Sequence, residues 1–150
     1  MNQELLEDLI RDEGCVKNPR GRHILYEDSL GHETIGYGRL MSSELGGGIE
    51  EGEAIFLLRS DIVRTIVEMD ATWPWAVDLS DDQRRGLANM LFNLGAPRLS
   101  KFSLMLAALE KSAAGDQAAA SEAASEATRS RWAVQVGERS ARVALLLKSG

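Results

Sequence analysis

The 150-residue chain contains little cysteine or histidine, and these shortages exclude several kinds of site. A single cysteine, Cys15, cannot form an internal disulfide. His23 and His32 are the only histidines, and no two cysteines pair, so the usual spacings of zinc ligands are missing. No glycine-rich loop with a following Lys and Ser or Thr precedes a helix, so the sequence lacks a phosphate-binding loop. We therefore expect neither a metal nor a cofactor.

The chain also lacks an excess of positive charge. Its formal net charge is −6, which argues against nucleic acid as a partner, because proteins that bind phosphate backbones usually carry a basic face. The charge is unevenly spread, since residues 1–13 are acidic and residues 129–150 are basic. This asymmetry is typical either of two solvated helix faces or of chain ends that meet, with an Arg neutralising a carboxylate.

Long hydrophobic runs are missing as well. No apolar stretch approaches the length of a membrane span, so we expect no stable membrane insertion. The first residues, MNQELLEDLI, show neither the basic flank nor the continuous apolar stretch of a signal peptide. If the protein acts outside the cytoplasm, another component is expected to release it. The length suits one complete hydrophobic core and is too short for two ordinary ones.

Most of the chain carries hydrophobic residues at helical spacing. The predicted helices are 2–12, about 50–71, one that begins after Ser80, 101–112, 116–128 and 138–148. Ser80 and Gln83 match a capping box at the start of the third of these helices. Gly14 ends the first helix and leaves Glu13 at or near its last position. The helix of about 50–71 spans roughly 30 Å, enough to join two lobes. The alanine-rich helix 116–128 is interpreted as a surface helix of high intrinsic propensity.

The stretch 23–40, HILYEDSLGHETIGYGRL, is the exception to this helical pattern. Its β-branched and aromatic residues favour two or three short antiparallel strands. Gly31, Gly36 and Gly38 permit tight turns or the close approach of another group. Residues 15–22, which precede it, are interpreted as a surface loop. A small β-ribbon in a helical protein suggests one wall of a cleft.

Three polar residues around this ribbon suit the cleavage of a glycosidic bond, which needs one protonated and one ionised carboxyl group. Glu13 is the candidate acid, because the negative end of a helix dipole disfavours its charged form. Asp28, in a polar turn, is the candidate base, and Thr34 can hold a water. Taken singly, the same residues are more typical of a salt-bridge partner, a turn residue and an ordinary strand residue.

Several short motifs occur in order along nearly the whole chain: DEG at 12–14, YED at 26–28, TIGYG at 34–38, NMLFNLG at 89–95 and SRW at 130–132. Together they resemble the phage lysozymes of the T-even type, glycoside hydrolase family 24. The resemblance implies a muramidase that hydrolyses the β-1,4 bond between N-acetylmuramic acid and N-acetylglucosamine in peptidoglycan, with inversion at the anomeric carbon. It also implies no cofactor.

The resemblance assigns roles to individual residues. Glu13, Asp28 and Thr34 match the family's catalytic residues. The expected substrate contacts are Leu40 and Phe92, with Asn93 at a neighbouring position. Arg139 matches an Arg that lies beside the catalytic Glu and supports it. Phe92 and Trp132 are nevertheless interpreted more readily as core residues than as a sugar platform.

The implied fold is α+β and lysozyme-like, with residues 1–150 forming a single domain. A small lobe (about 14–50), which carries the β-ribbon, is expected to be joined by the helix of about 50–71 to a helical lobe (about 72–150). Helix 2–12 is expected to pack with the helical lobe, and the active-site cleft is expected between the lobes.

The implied setting is phage-induced lysis of a host cell. We expect a monomer made in the host cytoplasm, which depends on a holin to permeabilise the membrane and then acts on peptidoglycan in the periplasm. Two alternatives stay open. A lytic transglycosylase needs a single acid and no Asp that activates water. A catalytically inactive protein with the lysozyme fold would serve a binding or structural purpose.

The chain departs from the family pattern at three places. The stretch 15–23 is longer than the family's, and is expected either to lengthen one rim of the cleft or to shift Asp28. Arg39 replaces the His often found after the last glycine of the ribbon. Met105 stands where a small polar sugar contact is expected, so that contact is not assigned.

Overall fold

The computed structural model describes residues 3–149. These residues are mostly helical with one small antiparallel sheet, which confirms the predicted α+β class. They divide into two compact units, one reaching to Leu57 and the other beginning at Leu58. Residue 2, where the first helix is predicted to begin, and the chain ends at residues 1 and 150 lie outside the described residues.

Eight α-helices occur within residues 3–149. They are Gln3–Glu13 (α1), Glu51–Thr72 (α2), Asp81–Leu94 (α3), Ala96–Leu99 (α4), Ser103–Ala113 (α5), Gln117–Thr128 (α6), Arg131–Val136 (α7) and Glu138–Lys148 (α8). The predicted helices are confirmed to within a residue or two, and the short helices α4 and α7 are additional. None of the described helices is both long enough and apolar enough to cross a membrane.

The first unit contains a three-stranded ribbon where the sequence predicts one. Its strands are Tyr26–Glu27 (β1), Glu33–Ile35 (β2) and Arg39–Leu40 (β3), which pair antiparallel in chain order. Thr34, in the central strand, lies opposite Tyr26 on one side and Leu40 on the other. Gly31 closes the turn between β1 and β2 with φ +82°, a conformation that costs glycine little.

The segment between α1 and the ribbon, predicted as a surface loop, is closed into a hairpin. We call residues 16–24 the basic hairpin. Lys17 and His23 form an antiparallel bridge, and the Ile24 N–H donates to the Val16 carbonyl at 3.2 Å. The stretch that is longer than the family's is therefore held in a hairpin by backbone hydrogen bonds.

Asn18 organises the tip of the basic hairpin. Its side-chain oxygen accepts hydrogen bonds from the N–H groups of Arg20 and Arg22, at 2.9 and 3.1 Å. Gly21 donates its N–H to the Asn18 carbonyl at 2.9 Å and has φ +74°. Asn followed by Pro and Gly is a combination that favours tight turns, so the tip has a defined conformation.

The start of α2 is tied to the end of the ribbon. Arg39 of β3 forms an ion pair with Glu53 in the first turn of α2. Its other guanidinium nitrogen donates to the Gly48 carbonyl at 3.5 Å. The second carboxylate oxygen of Glu53 accepts the Glu50 N–H at 2.8 Å and so caps the helix. Arg39, which replaces the expected His, therefore links β3 to α2.

The hydrophobic core lies in the second unit. Helix α6 packs against α5 and α8, and α3 packs against α8. A Cβ added at Gly86 of α3 would lie 2.8 Å from Leu147 of α8, so the glycine allows these two helices their close approach. The largest fully buried apolar side chains are Met69, Leu87, Met90, Leu91, Leu99, Met105, Leu109, Val143 and Leu147.

Helix α3 begins with the predicted capping box. The Ser80 hydroxyl accepts the Gln83 N–H at 3.2 Å, and the Gln83 side chain accepts the Ser80 N–H at 3.3 Å. The buried Gln83 amide also donates to the Ser112 hydroxyl at 2.8 Å and to the Leu147 carbonyl at 3.2 Å. One cap residue thus connects α3 with α5 and α8.

The alanine-rich helix α6 is a core element, so its interpretation as a surface helix is wrong. Five of its alanines, on one face of the helix, are buried: Ala119, Ala120, Ala123, Ala124 and Ala127. Small side chains let helices approach closely, and the buried stripe is invisible to a search for large apolar residues at helical spacing.

Candidate active site

Asp28 is fixed by the backbone of the turn in which it lies. Its Oδ1 accepts the N–H groups of Leu30 and His32, both at 2.9 Å. These donors, His32 first and Leu30 second, stabilise the charged carboxylate and hold the pKa of Asp28 below its ordinary value. Its Oδ2 lies 3.5 Å from Nδ1 of His32. Asp28 is thus an oriented carboxylate that stays ionised.

Thr34 lies in the central strand of the ribbon and is only 3% exposed. Its hydroxyl donates to the His32 carbonyl at 3.1 Å. Because a hydroxyl has one proton and two lone pairs, this bond leaves Thr34 Oγ1 able to accept a hydrogen bond but not to donate another. His32 therefore contacts both polar ribbon residues, Asp28 through its N–H and Thr34 through its carbonyl.

Glu13 is the last residue of α1, as predicted, and it is exposed. Its carboxylate lies against Gly38, in the turn between β2 and β3. A Cβ built on Gly38 would lie 3.1 Å from Glu13 Oε2 and 3.5 Å from its Cδ. Gly38 has φ +83°. The predicted close approach to a ribbon glycine is confirmed here, and the approaching group is the candidate acid.

Leu40, the predicted substrate contact of the first unit, is half-buried at the end of β3. Its backbone carbonyl accepts the Gly48 N–H at 3.0 Å, and it lies opposite Thr34 in the ribbon. Four of the predicted site residues, Glu13, Asp28, Thr34 and Leu40, thus belong to the first unit.

The other three predicted site residues belong to the second unit. Phe92 and Arg139 line one groove of about 510 Å³, whose apolar wall includes Leu58 and Ile62. Phe92 is 47% exposed and stands outside the core, so its interpretation as a core residue is wrong. The interpretation of Trp132 as a core residue is confirmed, because its side chain is only 3% exposed.

Asn93 and Arg139 are each hydrogen-bonded to a neighbouring helix. The Asn93 side-chain oxygen accepts the indole N–H of Trp132 at 2.8 Å. Arg139 donates from Nε to the Asn89 side-chain oxygen at 2.9 Å and from Nη2 to the Asn89 carbonyl at 3.2 Å. Two bonds from one guanidinium to one residue fix the Arg139 side chain on α3.

Two residues have roles in these contacts that the sequence does not indicate. No sequence pattern assigns a role to His32, although its backbone bonds to both Asp28 and Thr34. Asn89 belongs to the NMLFNLG motif. Its hydrogen bonds to Arg139 cannot be predicted from the sequence, because the two residues are fifty positions apart. Within residues 3–149, no group of three or more His, Cys, Asp or Glu side chains is arranged to hold a metal ion.

Comparison with known proteins identifies the family. The phage lysozyme family matches residues 13–144 of the chain, a stretch that begins at Glu13. The chain belongs to the phage lysozyme family. Membership in the phage lysozyme family confirms the resemblance seen in the motifs and supports a glycoside hydrolase that acts on peptidoglycan.

A curated relative agrees with this assignment. The chain is similar to "Probable T4-type lysozyme 2" of Dictyostelium discoideum, with 27% identity over 152 residues that cover 84% of this chain and 86% of the relative. The coverage extends over nearly the full length of both proteins. The lysozyme resemblance is therefore a property of both units of the chain.

Proposed function

We propose that the protein is a muramidase that hydrolyses the β-1,4 bond between N-acetylmuramic acid and N-acetylglucosamine by inverting general acid–base catalysis. The observation that carries the proposal is that one unit contains both a Glu13 carboxylate held against the ribbon and an Asp28 carboxylate fixed by two N–H groups. Membership in the phage lysozyme family supplies the substrate class.

Glu13 is proposed to donate a proton to the leaving glycosidic oxygen. Its exposure leaves the carboxyl group open to substrate. The contact with Gly38 limits the directions in which the carboxyl group can point.

Asp28 and Thr34 are proposed to hold the attacking water. Asp28 is ionised and takes one proton of the water. Thr34 Oγ1 accepts a hydrogen bond from the water's other proton. The hydrogen bond from Thr34 to the His32 carbonyl favours this arrangement, because it uses the only proton of the hydroxyl and leaves its oxygen free to accept. The water then presents a lone pair to the anomeric carbon. Inverting enzymes place their carboxyl groups roughly 6.5–9.5 Å apart to admit such a water.

Leu40, Phe92 and Asn93 are proposed to contact the glycan strand, and Arg139 is proposed as the supporting residue. The bonds from Arg139 to Asn89 give its guanidinium a fixed position. The half-exposed ring of Phe92 offers an apolar surface in the same groove, and apolar and aromatic side chains commonly line ligand sites.

The biological setting is proposed from the family. A phage lysozyme made in the host cytoplasm reaches peptidoglycan in the periplasm once a holin has permeabilised the membrane, and the outcome is lysis of the host cell. We propose that the protein acts as a monomer without a cofactor.

Product analysis tests the reaction type. Digestion of purified peptidoglycan is expected to yield reducing N-acetylmuramic acid ends, with the α-anomer formed first when the reaction is followed by proton NMR. Anhydromuramoyl ends would instead identify a lytic transglycosylase. Absence of any new ends at high enzyme concentration would favour the binding or structural alternative.

Substitution of Gly38 tests the contact with Glu13. Gly38→Ala is expected to lower kcat about 10–100-fold, because the added Cβ displaces the Glu13 carboxylate and small displacements of catalytic groups are costly. Gly36→Ala is the matched control, since Gly36 also has positive φ (+67°) but no atom within 4 Å of the added Cβ. Both variants should lose about 1–2 kcal/mol of stability from backbone strain. Equal kcat values in the two variants would contradict the contact's role.

A further inference from the structure

The basic hairpin contributes three cations that the proposed reaction does not use. The first unit has five Lys and Arg residues. Arg11 is paired with Asp8 and Asp12, and Arg39 is paired with Glu53. The other three are exposed and form no ion pair with any residue in 3–149: Lys17, Arg20 and Arg22. All three lie within six positions of one another, in a chain whose net charge is −6.

The hairpin presents these cations from a preorganised backbone. The Asn18 side chain binds the N–H groups of Arg20 and Arg22 themselves. Lys17 lies in the bridge with His23. Backbone order at a binding surface reduces the entropy lost on association. These side chains therefore bind an anion at a lower entropic cost than cations on a flexible loop would.

A ring contact anchors the hairpin to the ribbon turn that bears Gly38. The rings of His23 and Tyr37 meet edge to face with centroids 5.1 Å apart. His23 Nδ1 is buried with no hydrogen-bond partner within residues 3–149, so packing rather than polar bonding holds this ring. Tyr37 directly precedes Gly38, against which Glu13 lies.

Two observations place the base of the hairpin near the candidate acid. Through the ring contact, the hairpin adjoins the turn that touches Glu13. Along the chain, Lys17 follows Glu13 by four residues, which limits their Cα separation to about 14 Å. A ligand of the hairpin would be bound beside the bond that Glu13 acts on.

We propose that the basic hairpin binds the carboxylates of the peptides that substitute the glycan strands of peptidoglycan, and so adds a peptide-recognition surface to the enzyme. This inference rests on the proposed function, which supplies the glycan. Guanidinium groups suit carboxylates because two N–H donors match the two oxygens. An anionic membrane is disfavoured as the partner, because clusters of about four to eight Lys and Arg residues are typical of segments that bind anionic membranes, whereas the hairpin carries three.

Two triple variants test the proposal. Lys17→Gln/Arg20→Gln/Arg22→Gln removes the three hairpin cations. Lys148→Gln/Arg59→Gln/Arg131→Gln is the control, which removes the same charges at exposed positions elsewhere. Initial rates are measured on intact peptidoglycan and on the same glycan strands after their peptides have been removed with an amidase.

The hairpin variant is expected to raise KM on intact peptidoglycan about tenfold, with kcat unchanged. That factor corresponds to about 1.4 kcal/mol, a reasonable total for three exposed ion pairs. On peptide-free strands, the hairpin variant should match the wild type, and the control variant should match it on both substrates. Added salt should raise the wild-type KM on intact peptidoglycan and leave that of the hairpin variant nearly constant.

Other outcomes overturn the proposal. If the hairpin variant loses the same activity on both substrates, the hairpin is a structural element. If its KM is unchanged on both, the hairpin does not take part in substrate recognition. Loss of binding to vesicles of anionic phospholipid, with hydrolysis unaffected, would assign it to the membrane. If the wild type cleaves neither substrate, the proposed function fails. Cosedimentation of the two triple variants with intact and peptide-free glycan then decides the hairpin's role separately.

Discussion

Replacing Glu13 by Gln is expected to lower kcat on purified cell walls by about 10²–10⁴-fold, the usual contribution of general acid–base catalysis. The substitution keeps the size and the hydrogen-bonding oxygen of the side chain and removes the proton that the leaving group needs. Glu13 is exposed at the end of α1, so the free energy of unfolding should stay within about 0.5 kcal/mol of the wild type. Turbidity loss of permeabilised Gram-negative cells measures the activity.

Asp12→Asn is the matched control for this substitution. Asp12 is the neighbouring acidic residue of α1, and it is exposed. Its partner Arg11 keeps its second ion pair, with Asp8 at 2.9 Å. The control should therefore retain both fold and activity. Normal turnover in Glu13→Gln would remove Glu13 from the mechanism, and a loss of similar size in both variants would point to the charge of the helix end instead.

Asp28→Asn is expected to lower kcat about 10²–10⁴-fold as well, because the amide cannot take a proton from water at neutral pH. Its side-chain oxygen can still accept the N–H groups of Leu30 and His32, so the turn should be preserved. Asp116→Asn is the control, since Asp116 Oδ1 accepts the Ala118 N–H at 3.1 Å in a similar way. A fully active Asp28→Asn variant would favour a lytic transglycosylase, which needs only the acid.

The same variant has a pH-dependent effect on stability. The backbone donors hold the pKa of Asp28 below its ordinary value. A carboxyl group whose folded-state pKa is depressed stabilises the fold above the unfolded pKa, and this contribution disappears as pH falls through the folded pKa. The wild type should therefore be more stable than Asp28→Asn at neutral pH. The difference should shrink as the pH of the urea titration is lowered below the ordinary range of an Asp carboxyl, whereas a constant difference would contradict the depressed pKa.

Local patterns in the sequence predict local structure well. Gly14 predicts that the first helix ends at or near Glu13. Ser80 and Gln83 predict a capping box at the start of α3. The glycines of residues 23–40 predict the turns of the ribbon. These features depend on a few neighbouring residues, whose backbone preferences act in the same direction as the fold. The family motifs then predicted the fold class, because they span nearly the whole chain.

Features that depend on distant residues were missed. The buried alanines of α6 have little side-chain area, so nothing in the residues of α6 marks its inner face. The Asn89–Arg139 bonds and the Arg39–Glu53 pair join segments that only the fold brings together. Phe92 reads as a core residue because it is large and apolar, and its half exposure is decided by the shape of a groove.

The confinement of the hydrophobic core to the second unit has a consequence for local stability. The buried apolar side chains of the described chain all lie at or beyond Met69, whereas the ribbon and the basic hairpin are held mainly by turn hydrogen bonds and very short strands. Segments of this kind open by sub-global unfolding, at a lower free energy than the packed helices need. Amide protons of residues 16–40 should therefore exchange with solvent well before those of α3, α5 and α8. The proposed catalytic residues Asp28 and Thr34 thus lie in the part of the chain that opens first.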